Sequence, residues 1–462
     1  MARLAALCFV AVAACAPLVE RPLVAISEAT DTDPDPAVVT VDLVAGEASA
    51  IYRSDKPATV WAFRDAAGGK VGTVPGPTIR ARVGDLLVAR ITNALPEATT
   101  VHWHGVRLPN GMDGSTSSQR KIEPGETFEY RIPFRDTGTF WYHPHVRGDT
   151  QIERGLYGKL IVEGGTEVDV AADRYFALDD VKLDASGTLN QDTDELDVML
   201  GRQGNVLLVD GQAGRQLEVA RGSRERWRFV NTANGRYFNL SLAGHRFLVI
   251  GWDGGLIPQP YETETLLIAP GERYEVLVEL SGAVGTRVPL QTLFYDRGHN
   301  IRDPGPKDLL ELVFSGEATR KPAALPSSWR ELPAPAVTPA TPVRRFVLKE
   351  LETAAGVAFV INDEVWPFNT PVEVKQGDTE IWEVDNQVEM DHPFHLHGMF
   401  FDVLNVGAAP FERAGWKDTV NVPQKTALRF AVRYEPEGIW MFHCHILEHA
   451  ERGMMGDLRV MP

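Results

Sequence analysis

The chain has 462 residues, 44% of them hydrophobic and 24% charged, with a formal net charge of −17. That length suits about three domains. The acidic balance argues against nucleic acid or an anionic lipid surface as partner, since both need a basic face, and no hydrophobic run after the N-terminus is long enough to cross a bilayer.

Residues 1–14 read as an export signal. Arg3 is a minimal basic start, and Leu4 to Ala14 is apolar but too short to span a membrane. Val12-Ala13-Ala14-Cys15 resembles the lipobox of bacterial lipoproteins, with an ordinary signal peptide as the alternative. The expected destination is the periplasm or cell envelope, with membrane contact only through lipid on Cys15. Residues 15–39, including Asp31-Thr32-Asp33-Pro34-Asp35-Pro36, are expected to form a flexible tether. Of the three cysteines, Cys8 would leave with the signal and Cys15 would carry lipid. Cys444 is then the one thiol of the folded body, and no structural disulfide can form.

An internal repeat organises the body of the chain. Gly84, Gly222 and Gly377 are each followed nine residues later by an asparagine: Asn93, Asn231 and Asn386. Between them lie alternating or apolar runs that read as strands launched from a turn. A second turn and strand come later in each copy, at Pro124-Gly125-Glu126, Pro270-Gly271-Glu272 and Pro423-Gln424-Lys425. Helical periodicity is scarce, while glycine (41) and proline (31) are plentiful. The expected fold is all-β, three consecutive sandwiches over 40–166, 167–325 and 326–462. Lys321 to Pro342, rich in Pro, Ala and Thr, reads as a linker. The acidic stretch Asp192 to Asp197 reads as a solvated loop, with a segment that gathers cations as the alternative.

The chain has 12 histidines, and ten fall in four short groups: His102-Trp103-His104, His143-Pro144-His145, His392-Pro393-Phe394-His395-Leu396-His397, and His443-Cys444-His445 with His449. Imidazole, thiolate and the nearby thioether of Met454 are ligands for a redox-active copper; a hard cation would want oxygen. If residues 443–445 are extended, His443 and His445 share one face and Cys444 the other. Cys444 can then bind one copper while its neighbours bind others behind it. Gly138 to His145 aligns with Gly438 to His445, with Pro144 where the later copy has Cys444. The first domain thus keeps paired histidines and cannot build the thiolate site. The middle domain has no such pair and is expected to be a copper-free spacer and wall, with His245 structural and His299 exposed in a loop.

These four motifs, in order and spacing, resemble the three-domain multicopper oxidases, the bacterial laccases and metallo-oxidases. The resemblance covers roughly residues 40–462 and implies three cupredoxin-like Greek-key domains. It also implies four copper ions: one type 1, one type 2 and two type 3. The type 1 ion would take His392, Cys444, His449 and, axially, Met454. The type 2 ion would take His102 and His395. The type 3 pair would take His104, His143 and His445 on one copper, and His145, His397 and His443 on the other. The implied activity is one-electron oxidation of a small donor, a phenol or aromatic amine, with four electrons then reducing dioxygen to water. Oxidation of Cu(I) or another metal ion is the second reading, suggested by Met390, Met399, Asp391 and Glu389 near His392. A copper-free envelope scaffold is the remote one. A monomer is expected. Asp113 falls where related bacterial enzymes carry an acidic proton relay. Many relatives place Glu directly after the histidine equivalent to His449; here Ala450 stands there, then Glu451, and neither Glu448 nor Glu451 can be preferred from sequence as a substitute.

Overall fold

The computed structural model describes residues 27–462 apart from 53–55, 69–71, 191, 300–304, 334 and 355. Residues 1–14 and Cys15, which carry the export and lipid readings, lie outside the described residues.

The repeated Gly and Asn do the same work three times. Gly84, Gly222 and Gly377 adopt φ of 98°, 81° and 89°, a region open to glycine and costly for residues with a Cβ. Each starts the strand that ends at the paired asparagine: Leu86–Asn93, Arg224–Asn231 and Thr379–Asn386. Each asparagine then crosslinks the second turn. The Nδ2 groups of Asn93, Asn231 and Asn386 donate to the carbonyls of Ile122, Ile268 and Val422 at 2.8, 2.9 and 3.1 Å. Their Oδ1 atoms accept the amides of Leu95, Ala233 and Val388. All three are fully buried, so each polar group needs such a partner.

Among the described residues six sheets result, two per repeat. Each repeat opens with a strand lying parallel to its Gly-to-Asn strand (Val38–Ala50, Ala172–Val181 and Val343–Thr353); the second sheet of each repeat holds one more parallel pair, and the other pairings of named strands are antiparallel. The histidines ride on the second sheet of the first and third sandwiches. In the first, His102–His104 pairs with Gly138–His143. In the third, His392–Leu396 pairs with Gly438–Cys444. The first and third sandwiches share one continuous apolar core, while most of the middle one packs separately. Asn110 fastens the seam: its Oδ1 accepts the amide of Ile439 at 3.2 Å and its Nδ2 donates to that residue's carbonyl.

Among the described residues the α-helices are three short pieces, α1 (Gly148–Glu153), α2 (Glu195–Leu200) and α3 (Leu447–Glu451). α2 begins inside the stretch expected as an acidic loop, taking Glu195 to Asp197 into a helix and leaving Asp192 to Asp194 exposed and non-helical. Asp194 accepts the Asp197 amide and Asp197 reaches back, a reciprocal cap that starts the helix. The expected tether also differs. Asp31 Oδ1 accepts the Thr40 amide at 2.9 Å, Asp33 Oδ2 accepts the Thr40 hydroxyl, and Thr30 bonds to buried Asp65. The prolines and aspartates of this segment build a chain of side-chain turns laid against the first domain. Described residues of 321–342 form no strand or helix, although Arg330 lies over Trp416 at 4.6 Å.

Candidate metal centre

Period-two alternation sorts the histidines onto two faces. Phe394 pairs with Cys444, and His395 with His443, across the sheet of the third domain. His392 and Cys444 therefore face that domain's core, while His395, His397, His443 and His445 face the first domain. The seam brings His102, His104, His143 and His145 to meet them. All ten grouped histidines converge in two pockets, and nine are buried; His145 is partly so.

The first pocket is a triad. Cys444 Sγ lies 3.3 Å from His392 Nδ1 and 3.9 Å from His449 Nδ1, and the two Nδ1 atoms are 3.3 Å apart. His449 Nε2 donates to the Met199 carbonyl of α2 at 3.3 Å, which leaves the Nδ1 lone pair aimed at the sulfur. Phe359 stacks on the His449 ring at 3.8 Å. Met454 is fully buried in the same apolar core as Cys444, and its backbone bonds to both Cys444 and His449. Its neighbour Met455 instead packs with Met441 and Ala450. Burial pushes the Cys444 thiol up, so a thiolate there needs a cation beside it.

The second pocket holds eight imidazoles. His145, His397 and His443 bring three donor atoms together, with His397 Nε2 at 3.1 Å and His145 Nε2 at 3.4 Å from His443 Nε2. His104, His143 and His445 have ring centroids 5.0–5.7 Å apart, and His102 lies 5.7 Å from His395. Outer partners fix the tautomers. His102 Nδ1 donates to the Asp113 carbonyl at 2.7 Å, His143 Nδ1 to the Pro144 carbonyl at 2.9 Å, and His395 Nδ1 to the Asp418 carbonyl at 2.9 Å. His443 Nδ1 donates to the Cys444 carbonyl at 2.8 Å, and His397 Nδ1 to Asp113 Oδ2 at 2.9 Å.

That arrangement is a test of fit. His397 and His443 each spend their N–H outward, so two Nε2 lone pairs face each other at 3.1 Å. Two acceptors at hydrogen-bond distance with no proton between them repel, and a cation between them removes the conflict. The Nε2 atoms of His102, His143 and His395, His104 Nδ1 and both His445 nitrogens are likewise buried with no hydrogen-bond partner, a costly state in a folded protein. Burial, aided by neighbouring charges, holds His104, His143, His397, His443, His445 and His449 well below the usual imidazole range. They are therefore neutral, the form that binds metal. Imidazole with one thiolate suits copper.

Asp113 is fully buried. Burial alone would raise its carboxyl, but the imidazoles of His397 and His102 outweigh it and hold it well below the usual range. Glu451, exposed along one side, accepts the Gly148 amide at 2.6 Å and lines a cavity of ≈20 Å³ with His143, His145 and His443. That is room for about one water molecule. Glu448 points elsewhere: its carboxylate takes Asn234 Nδ2 at 2.7 Å and the Arg202 amide at 3.0 Å, both from the middle domain.

Sequence reasoning misses a second carboxylate and most of the middle domain's part. Asp418 Oδ1 lies 3.3 Å from His104 Nε2, and Thr419 Oγ1 lies 3.0 Å from both His104 and His395. Arg273 of the middle domain bonds Asp418 at 2.6 Å and Asp253 at 3.3 Å, and Lys417 bonds Asp253 and Glu272 at 3.0 and 3.1 Å; all five groups are buried. Gly271, in the second turn of the middle repeat, sits so close to the site that an added Cβ would fall 2.8 Å from the His445 ring. The one positional hint is that Arg273 directly follows the repeated turn; nothing beside Asp418 in the sequence marks it. The middle domain is a wall that also supplies charge. His299, expected exposed, is about one-fifth exposed and pairs with Glu350 at 3.1 Å. His245 sits on a surface turn, where its Nδ1 donates to the nearby Ala243 carbonyl and its Nε2 accepts the Ser281 amide.

Three sequence models of the multicopper oxidase family match residues 58–167, 181–286 and 337–462. Multicopper oxidase MmcO of Mycobacterium tuberculosis is 32% identical over 423 residues, covering 83% of this chain and 81% of that protein. Cell division protein FtsP of Escherichia coli is 30% identical over 435 residues, covering 87% and 88%. Among solved structures, a metallo-oxidase from Campylobacter jejuni superimposes with a TM-score of 0.85 at 28% identity, covering 96% of each chain. A laccase from Pediococcus acidilactici gives 0.83 at 26% identity, covering 97% and 95%. With three sandwich domains, a buried His–Cys–His triad and eight converging imidazoles, the chain belongs to the multicopper oxidase family.

Proposed function

We propose that the chain holds four copper ions and couples one-electron oxidation of a small donor to four-electron reduction of dioxygen to water. His392, Cys444, His449 and Met454 would hold the type 1 ion. His102 and His395 would hold the type 2 ion. His104, His143 and His445, and His145, His397 and His443, would hold the type 3 pair. The observation that carries this reading is the convergence of outward-bonded imidazoles whose inward lone pairs have no proton to share. Bound copper supplies the electron transfer and the site where oxygen is reduced.

The chain's own groups do the rest. Residues 443–445 join the pockets through one short stretch of backbone. Asp113 orients His397 by accepting its Nδ1–H at Oδ2; Glu451 lies across a water-sized cavity from three imidazoles and can pass a proton from solvent. The carboxylate expected directly after His449 thus has a substitute one residue on, reached because α3 turns the Glu451 side chain back toward Gly148.

The donor reading turns on access. His392 and His449 are both fully buried, and Met199 of α2 bonds His449. A phenol ring needs an open pocket against one of those rings, whereas a metal ion can deliver its electron through the Met199 carbonyl and the His449 N–H. Asp192 and Glu195, exposed at the start of α2, can gather cations. This supports a low-valent metal ion such as Cu(I) over a phenol, and the relative described as a metallo-oxidase agrees. Oxygen uptake under air with Cu(I) and with a methoxyphenol, side by side, tests it: faster uptake with Cu(I) is expected, and phenol turnover exceeding it restores the laccase reading. The scaffold reading requires a protein that stays colourless and copper-poor after loading. Export of the chain and lipidation at Cys15 are part of the proposal, and labelled palmitate appearing in the wild type and not in Cys15→Ser is the expected result.

A further inference from the structure

We infer that Arg297, supplied by the middle domain, is a fixed cation that raises the reduction potential of the copper centre at Cys444. The inference rests on the copper reading above. Arg297 is 2% exposed. Its Nη2 donates to the Leu200 carbonyl, its Nη1 lies 3.9 Å from Met390 Sδ, its Nε has no partner, and its guanidinium sits over the Tyr237 ring at 5.6 Å. Among the described residues no carboxylate pairs with it. A buried guanidinium without a counterion is costly to keep, so its position matters.

That position is fixed from both sides of the triad. The Arg297 carbonyl accepts the Asp391 amide at 2.8 Å, and the His299 amide donates to the Glu389 carbonyl at 2.8 Å. This locks the loop against the segment that carries His392. Gly298 makes the approach possible, because an added Cβ there would fall 2.0 Å from the Glu389 carbonyl oxygen. On the other side, Leu200 follows Met199, whose carbonyl takes the His449 N–H. One guanidinium therefore touches both segments that hold the triad's imidazoles.

Among the described residues none of the nearby acids ion-pairs with it. Asp391 keeps its own charge but is held by the neutral donors Tyr295, Asn421 and the Gln424 amide. Asp180 is paired with Arg236, and Glu448 bonds Asn234 and the Arg202 backbone amide. An unpaired positive charge in a poorly screened interior favours the neighbouring state that carries one more electron. One electron enters from the reducing donor, and at Arg297 no bond forms or breaks and no proton moves. Arg297 is a positioning charge and not a catalytic residue.

The test is a potentiometric titration of the copper-loaded full chain, followed by its thiolate-to-copper absorption band. Arg297→Gln keeps a donor for Leu200 and removes the charge; the one-electron equilibrium with a soluble mediator should move on the order of tenfold toward the oxidised centre, a midpoint lower by about 59 mV. Arg297→Lys should stay near wild type. Met390→Glu leaves Arg297 in place and gives it a counterion, so it should shift the midpoint the same way even if Arg297→Gln fails to fold. An unmoved midpoint in both charge-altering variants, with the band intact, overturns the inference while leaving the copper reading standing. Absence of the band from the wild type overturns the copper reading itself.

Discussion

The two donor pockets are neighbours in sequence and opposites in construction. The triad of His392, Cys444 and His449 is built within one domain, inside an apolar core, and one backbone carbonyl orients His449. The eight-imidazole pocket is built by two domains across a seam. It is surrounded by charge: Asp113 on one side, and Asp418, Arg273, Asp253 and Lys417 on the other. A dry, lightly bonded pocket suits a centre that only passes electrons, because little around it must reorganise. A pocket ringed by carboxylates and a water-sized cavity suits a place where protons must arrive.

Cys444→Ser breaks the contrast most completely. Its colour and its oxygen uptake with any donor should fall to background, while about three coppers per chain remain in the imidazole pocket, counted by metal analysis and electron paramagnetic resonance. Loss of all copper would show that the pockets are not independent.

Next in size, Arg273→Met should destabilise the fold by about 3–5 kcal/mol, because it strands the buried carboxylates Asp418 and Asp253. Chemical denaturation of the copper-free protein measures this, and a change within about 1 kcal/mol of zero, on the scale of an ordinary surface substitution, would refute the part given to the middle domain.

Glu448 tests whether the triad's helix is tied electrostatically to that domain. Burial pushes its carboxyl up to about 7, above an unfolded value near 4.5. The native state therefore holds a proton that the unfolded chain has released between those values. Its contribution is fully present below pH 4.5 and lost as pH rises toward 7. The copper-free wild type should lose on the order of 3 kcal/mol relative to Glu448→Gln across that window, read from paired denaturation curves; parallel profiles would contradict it. The smallest effect is Asp113→Asn, which removes the partner that orients His397. Copper affinity of the imidazole pocket should fall roughly 10–100-fold with the triad's absorption unchanged, as chelator competition can show.

Much of this contrast was legible in the sequence. Period two across Phe394-His395 and His443-Cys444 assigns the faces, and the swap of Pro144 for Cys444 tells which domain builds a thiolate site. The three Gly-to-Asn spacings mark the sandwiches because each asparagine makes the same pair of crosslinks. What sequence did not carry were contacts between domains. Arg273 and Arg297 are ordinary arginines until the fold buries them against a site far along the chain. Asp418 gives no signal of its own, since its partners come from all three domains. α2 escaped notice because its acidic start hides a reciprocal cap, and residues 31–36 read as a tether because their order comes from side-chain turns and not from burial.

Anomalous diffraction from copper-loaded crystals, at the copper absorption edge, tests the central claim most directly. Four peaks are predicted: one bounded by His392 Nδ1, His449 Nδ1 and Cys444 Sγ, and three among the eight imidazoles. An empty triad, or imidazoles of the first and third domains with no density between them, would contradict it.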